Sequence, residues 1–202
     1  RSNRVISRSP IAIAELMKIG DELEAGTLSI RDVVAFSEQA DIDEQEDRGD
    51  EYLRLTMEGV QRIRALSKQG QKEWEKLRAE QKLTRGKKSK KFLRLKRKAV
   101  RVRLDIARAI KELNLKEDTR QRLIRSIGIV YKEVRALERE TEKLTEKLGR
   151  KRIKPEDEKE FKRQISVAKR RLKQIEVETT LSPIEIKRSH VAIAVSEAQT
   201  TE

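Results

Sequence analysis

Apolar residues return every three or four positions along most of this chain with polar ones between them, a spacing that predicts amphipathic helices rather than strands. Ser9-Pro10 opens the first: the hydroxyl can accept an orphan amide bond, and proline at the first helical position forfeits no hydrogen bond. Ile13, Leu16, Met17, Gly20 and Leu23 then make one buried face. Gly26 is placed to close the helix, and Ser29 with Asp32 resembles a capping box in which aspartate replaces glutamate. A short second helix through Ile30, Val33, Val34 and Phe36 should fold back on the first.

The helical pattern restarts at Tyr52, Leu55, Met57, Val60, Ile63 and Leu66 and continues through Trp74 and Leu77 to the region of Leu83. The clearest periodicity follows. Leu123, Ile127, Val130, Val134, Leu137, Thr141, Leu144 and Leu148 alternate spacings of four and three, and Phe161, Ile165, Ala168, Leu172, Ile175 and Thr179 repeat them after a turn around Gly149 to Pro155. Each stripe is too narrow to be stable alone, so two such runs joined by a short loop predict an antiparallel coiled-coil hairpin. Glu138, Arg139, Glu142, Lys143, Arg163 and Arg170 flank the seam and would set its register. Ser182 then caps a last helix, with Pro183 at its first position, Glu185 at the reciprocal site, and Ile184, Ile186, Val191, Ile193 and Val195 along it.

Composition agrees with this outline. At 36% hydrophobic against 42% charged, each element can carry only a thin apolar stripe, which suits helices packed side by side better than a thick core. The predicted fold class is all-α, an elongated helical bundle with an antiparallel coiled-coil hairpin. There is no cysteine, so disulfides and thiolate metal sites are excluded and a reducing compartment is allowed. No apolar run approaches the roughly 18 residues of a membrane span. A soluble, cytoplasmic protein is expected. The chain lacks an initiator methionine and begins and ends in helical text, which predicts an excised fragment.

Charge is distributed unevenly about a net +14. Residues 37–51 are acidic, with Asp41, Asp43, Glu44, Glu46, Asp47 and Asp50 opposed by Arg48 alone, which reads as a linker or as an element that mimics or repels nucleic acid. Residues 85–103 are the reverse. Lys87, Lys88, Lys90, Lys91, Arg94, Arg97 and Arg101 stand there with no acidic residue among them. They could meet phosphates, face solvent, or meet an acidic protein surface. Trp74, the only tryptophan, is better suited to an inter-helix anchor than to base stacking, because it has no aromatic neighbours in sequence. His190, the only histidine, has no cysteine to activate and no second imidazole with which to share a metal. No serine sits in a nucleophile turn, and the carboxylates lie among lysines and arginines instead of in a dry cleft. The expectation is a protein with no enzymatic activity, no catalytic or metal residue and no cofactor.

The end of the chain, Leu172-Lys173-Gln174-Ile175-Glu176-Val177-Glu178-Thr179-Thr180-Leu181-Ser182-Pro183-Ile184-Glu185-Ile186-Lys187, resembles the segment leading into region two of bacterial primary sigma factors, the specificity subunits of RNA polymerase. The beginning matches the same family independently. Ser9-Pro10-Ile11-Ala12-Ile13, Leu16-Met17-Lys18-Ile19-Gly20-Asp21-Glu22-Leu23 and Leu28-Ser29-Ile30-Arg31-Asp32-Val33-Val34 look like the exit from its first conserved, DNA-contacting region. Close matching covers about the first 36 and the last 30 residues, while the interval agrees only in helical character and position.

The resemblance implies residues 1–36 as the tail of the first conserved region, 37–51 as an acidic linker, 52–181 as the family's non-conserved helical domain holding the basic segment and the hairpin 117–179, and 182–202 as a connector helix. It implies a scaffold that contacts the largest subunit of core RNA polymerase on its clamp and reaches promoter DNA only as part of the full-length protein. No promoter-reading residue transfers to a position in this chain. A second expectation, from charge alone, is an independent basic helical module that binds nucleic acid through Lys87 to Arg103. A third is an assembly rod that self-associates through the hairpin.

Overall fold

The computed structural model describes residues 6–7, 9–36, 47–84, 89–149 and 154–198. Its described elements are helices: α1 (Pro10–Glu24), α2 (Ile30–Val33), α3 (Asp47–Leu83), α4 (Lys90–Glu112), α5 (Glu117–Leu148), α6 (Pro155–Thr179) and α7 (Pro183–Ala198). The chain divides into two compact units, Arg1–Ile124 and Arg125–Glu202, with α5 continuous across the boundary.

In the first unit, α1 buries Ile13, Leu16, Gly20 and Leu23 of the face read from the sequence, together with Ile11, Ala12 and Ile19, whereas Met17 is only half-buried. Gly26 closes it at φ +69°, where the Thr27 N–H donates to the Glu22 carbonyl at 3.0 Å. The start differs from expectation. Ser9 precedes Pro10 as predicted, but its hydroxyl caps no amide and is buried without a partner, so proline and the backbone bond from Ile13 N–H to Ser9 O begin the helix. At α2 the Ser29 hydroxyl accepts from the Arg31 N–H at 3.3 Å, while the Asp32 N–H donates to the Ser29 carbonyl at 3.1 Å, so Ser29 caps the helix without the reciprocal box to Asp32.

α2 is also shorter than the pattern suggested. It stops at Val33 because Val34 turns extended (φ −117°, ψ 149°) and forms an antiparallel bridge with Leu115 in the α4–α5 turn. The Ala35 N–H donates to Asn114 O and the Lys116 N–H to Val33 O, both at 2.9 Å, and Thr119 Oγ1 donates to Val33 O at 3.1 Å. Asn114, at φ 47°, takes the left-handed conformation that asparagine tolerates and donates from its side chain to Ala35 O. Phe36 stacks on Tyr52, ring centroids 4.0 Å apart, instead of continuing the helix.

Helix α3 begins earlier than predicted. Asp47 to Glu51, assigned to the acidic linker, form its first turn, where the negative charge of Asp50 favours a helix N-terminus. The remainder of that linker, 37–46, lies outside the described residues. α3 buries Thr56, Val60, Ile63 and Leu77 in a narrow stripe and runs antiparallel to α4. A Cβ at Gly59 would sit 2.5 Å from Leu113 Cδ2, and one at Gly70 would sit 3.3 Å from Val102 Cγ1, so two glycines bring these backbones close. α4 supplies Ala99, Val102, Ile106, Ala109 and Ile110 to the interface. Polar ties join the helices of this unit. Arg64 pairs with Asp21 at 2.9 Å, and Arg122 forks to Glu15 at 2.9 Å and to both oxygens of Glu22 at 2.6 and 2.7 Å. The hydrogen bond from Arg122 holds the Glu22 carboxyl below its ordinary range.

In the second unit, none of the heptad residues read on α5 beyond the boundary or on α6 is exposed; Ile127, Val134, Leu144, Ala168 and Ile175 are fully buried. Arg171 reaches Glu133 at 2.7 Å, and the Lys147 ammonium lies 5.4 Å from the centre of the Phe161 ring. The Ser182 box forms as written in the sequence. The Ser182 N–H donates to Glu185 Oε2 at 2.9 Å, and the Glu185 N–H donates to Ser182 Oγ at 3.4 Å. α7 then divides its aliphatic residues between two sides: Ile186 and Ile193 are buried, whereas Ile184, Val191 and Val195 are exposed.

Candidate nucleic-acid interface

The basic segment becomes the first half of α4. Ser89 caps that helix, its hydroxyl accepting from the Phe92 N–H at 2.9 Å and donating to Glu80 Oε1 of α3 at 3.1 Å. Lys91 takes the other Glu80 oxygen at 2.8 Å. The nearly buried Glu80 carboxylate is thus a clasp across the reversal from α3 to α4, and Lys91 is committed to it.

Lys90, Arg94, Arg97 and Arg101, at spacings of four, three and four, share one edge of α4 and are exposed. None makes an ion pair among the described residues. Lys91 is 70% exposed along its side chain but points its charge at Glu80, so it is not part of this edge. Lys87 and Lys88 lie outside the described residues. Of the seven sequence-predicted cations, the structure brings four together and diverts one.

Burial of Trp74 follows the anchor reading. The ring is half-buried on α3, with the Arg103 guanidinium of α4 3.9 Å from its centre, a cation–π contact across the helix pair. His190 stacks on Tyr131 at 3.9 Å between ring centres. Among the described residues, no group of three or more His, Cys, Asp or Glu side chains is placed to hold a metal ion, and no helix is long and apolar enough to cross a membrane.

Two surfaces escaped the sequence reading. On α6, Lys162, Lys169, Arg170 and Lys173 line one shallow basic groove with Ile165 and Ser166. On α4, Leu93, Val100 and Leu104 lie beside the cationic edge and line a groove with Lys96, Arg97, Arg101 and the ion-paired Asp105 and Arg108. They stand at spacings of seven and four along the sequence.

The hydrogen bond from Lys91, with a smaller contribution from Ser89 and against the effect of burial, holds the Glu80 carboxyl below its ordinary range. A carboxylate depressed in the folded state contributes stability that is whole above the unfolded pKa, about 4.3, and is lost as pH falls through the folded value. Thermal unfolding followed by circular dichroism from about pH 6 to about pH 3 should therefore show a smaller acid-induced drop in midpoint for Glu80→Gln than for the parent chain. Equal drops would remove the clasp from the account of the α3–α4 reversal.

What this arrangement offers chemically is a row of fixed positive charges and a short apolar strip on a helix. Comparison with protein families, with curated proteins and with solved structures gave no match.

Proposed function

We propose that this chain is the helical scaffold between the first and second conserved regions of a bacterial primary sigma factor, a cytoplasmic part of the transcription-initiation machinery that docks on core RNA polymerase near promoter DNA. The observation that carries the reading is the way the sigma-like beginning joins the interval that follows it. Gly20 of α1 abuts Val60 of α3, Asp21 pairs with Arg64, Glu15 and Glu22 grip Arg122, and Val34 bridges to Leu115. A scaffold that braces a DNA-contacting region needs such ties. A tethered, unrelated insert does not.

The second sigma-like segment supports the same reading, because the Ser182–Glu185 box restarts the chain as a capped connector helix after α6. We read α5 and α6 as the antiparallel coiled-coil hairpin of this scaffold, supported by the Glu133–Arg171 pair and by Lys147 over Phe161, in which the later position on α5 meets the earlier position on α6. No catalytic step is assigned to the chain.

Retention of the chain by immobilised core polymerase, at a salt concentration that removes non-specific adhesion, is the expected result. No retention, either of this chain or of the longer reading frame that contains it, sinks the reading.

The exposed row Lys90, Arg94, Arg97 and Arg101 favours one alternative, an independent nucleic-acid-binding module. That module would lose affinity for duplex DNA with salt at a log–log slope of about −0.9 per phosphate neutralised. Replacing Lys90, Arg94, Arg97 and Arg101 with glutamine should flatten that slope. An unchanged slope excludes this edge as the contact.

A further inference from the structure

α4 carries two apolar stripes on opposite sides. Ala99, Val102 and Ile106 are buried toward α3, whereas Leu93, Val100 and Leu104 are 41%, 44% and 50% exposed. With Arg97 between the first two, the outer set follows spacings of four, three and four, the register of a helix–helix seam. Single exposed leucines are ordinary on a protein surface. Three aliphatic residues in seam register, edged by Lys96, Arg97 and Arg101 and ending at the Arg108–Asp105 pair (3.6 Å), are a surface with a shape and a net positive sign.

We propose that this outer stripe of α4 is a docking strip for an acidic amphipathic helix of a protein partner, one carrying Leu or Ile at its seam positions and Glu or Asp at the flanks. The inference is independent of the sigma-factor reading. Charge complementarity selects the occupant. A second copy of α4 would set one basic edge against another, which opposes pairing. The chain's own acidic run, 38–47, has Ile42 as its one large aliphatic residue and cannot fill a seam of three. Nucleic-acid phosphates would satisfy Arg97 and Arg101 but give Leu93, Val100 and Leu104 nothing apolar to meet. An acidic helix with an aliphatic seam answers both halves of the strip.

The test uses the full chain and two synthetic helical peptides about three heptads long, identical in their leucine seam, one flanked by glutamate and the other by lysine. Fluorescence anisotropy should detect the glutamate peptide binding and the lysine peptide not binding. The variants L93Q/V100Q/L104Q and R97E/R101E should each weaken the glutamate peptide by about tenfold or more. All substituted side chains are solvent-facing, so circular dichroism and thermal midpoints should stay close to those of the parent.

Failure of the glutamate peptide to bind overturns the proposal, as does equal binding to the parent and to the triple glutamine variant. Duplex DNA bound equally well by both proteins, with no peptide bound, overturns it in favour of a phosphate-tracking surface. A dimer in sedimentation that the triple glutamine variant dissolves overturns it in favour of self-association.

Discussion

Alanine at Ile63 is expected to cost the first unit about 2–5 kcal/mol, the range for deleting three carbons from a closed core. Ile63 is 0% exposed in the middle of the α3 stripe. That stripe presents little more than one apolar residue per turn, because so much of the sequence is charged, and a narrow seam has few neighbours able to move into a cavity. Helix propensity works the other way, since alanine is the better helix former, but only by a fraction of a kcal/mol. The cavity wins. Urea unfolding followed by circular dichroism measures the loss, and Leu93→Ala on the exposed side of α4 is the control, expected within about 0.5 kcal/mol of the parent. If the units unfold in separate transitions, the shift should be confined to that of the first. Equal midpoints for the two variants would mean that α3 does not bury the side on which Val60 and Ile63 lie.

The reason α3 buries this side, and α4 the side it does, shows where a sequence is readable and where it is not. The period of an amphipathic helix is a property of the chain itself, so the run from Leu123 to Leu148 and its counterpart from Phe161 to Thr179 named sheltered positions without knowledge of any neighbour. The Ser182–Glu185 box was equally legible, because both of its partners lie within one turn. Ser9 looked the same locally, but its hydroxyl was taken into a buried setting where proline and backbone already begin the helix.

Features set by distant partners were hidden. Val34 leaves the helix because Leu115, far along the chain, offers it a backbone bridge. Asp50 reads as linker on composition, yet it lies in the first turn of a helix, whose N-terminus favours negative charge. α4 contains two stripes of seam spacing, and periodicity alone cannot choose between them. The choice is steric: on one side the small Ala99 and Ala109 accompany Val102 and Leu113, for which Gly70 and Gly59 of α3 leave room, whereas Leu93, Val100 and Leu104 on the other would hold the helices apart. The candidate cationic site divides likewise. The spacing of Lys90, Arg94, Arg97 and Arg101 was legible, but the capture of Lys91 by Glu80 depends on the reversal between α3 and α4.

Close approach to a stiff neighbour also makes Gly20 a position where added bulk should be harmful, and Gly20→Leu is expected to destabilise the first unit by about 2–3 kcal/mol through overpacking. A Cβ there would already stand 2.8 Å from Val60 Cγ1, inside van der Waals contact. Val60 is buried, and a β-branched side chain in a helix has essentially one rotamer, so it cannot swing aside. Gly20→Ala separates the opposing effects. Alanine in a helix interior is favoured over glycine by about 0.5–1 kcal/mol, and the contact with Val60 must exceed that for the variant to lose stability. Val60→Ala alone should lose about 1–3 kcal/mol by emptying the site. Combined with Gly20→Ala it removes the obstructing methyls and lets the propensity gain be expressed. The double variant should then be more stable than the sum of the single changes predicts, by about 1 kcal/mol or more in a double-mutant cycle. Strict additivity, or a Gly20→Ala variant more stable than the parent, would mean that α1 and α3 stand farther apart than the Gly20–Val60 contact requires, and would remove the tie on which the joining of the N-terminal segment to α3 most depends.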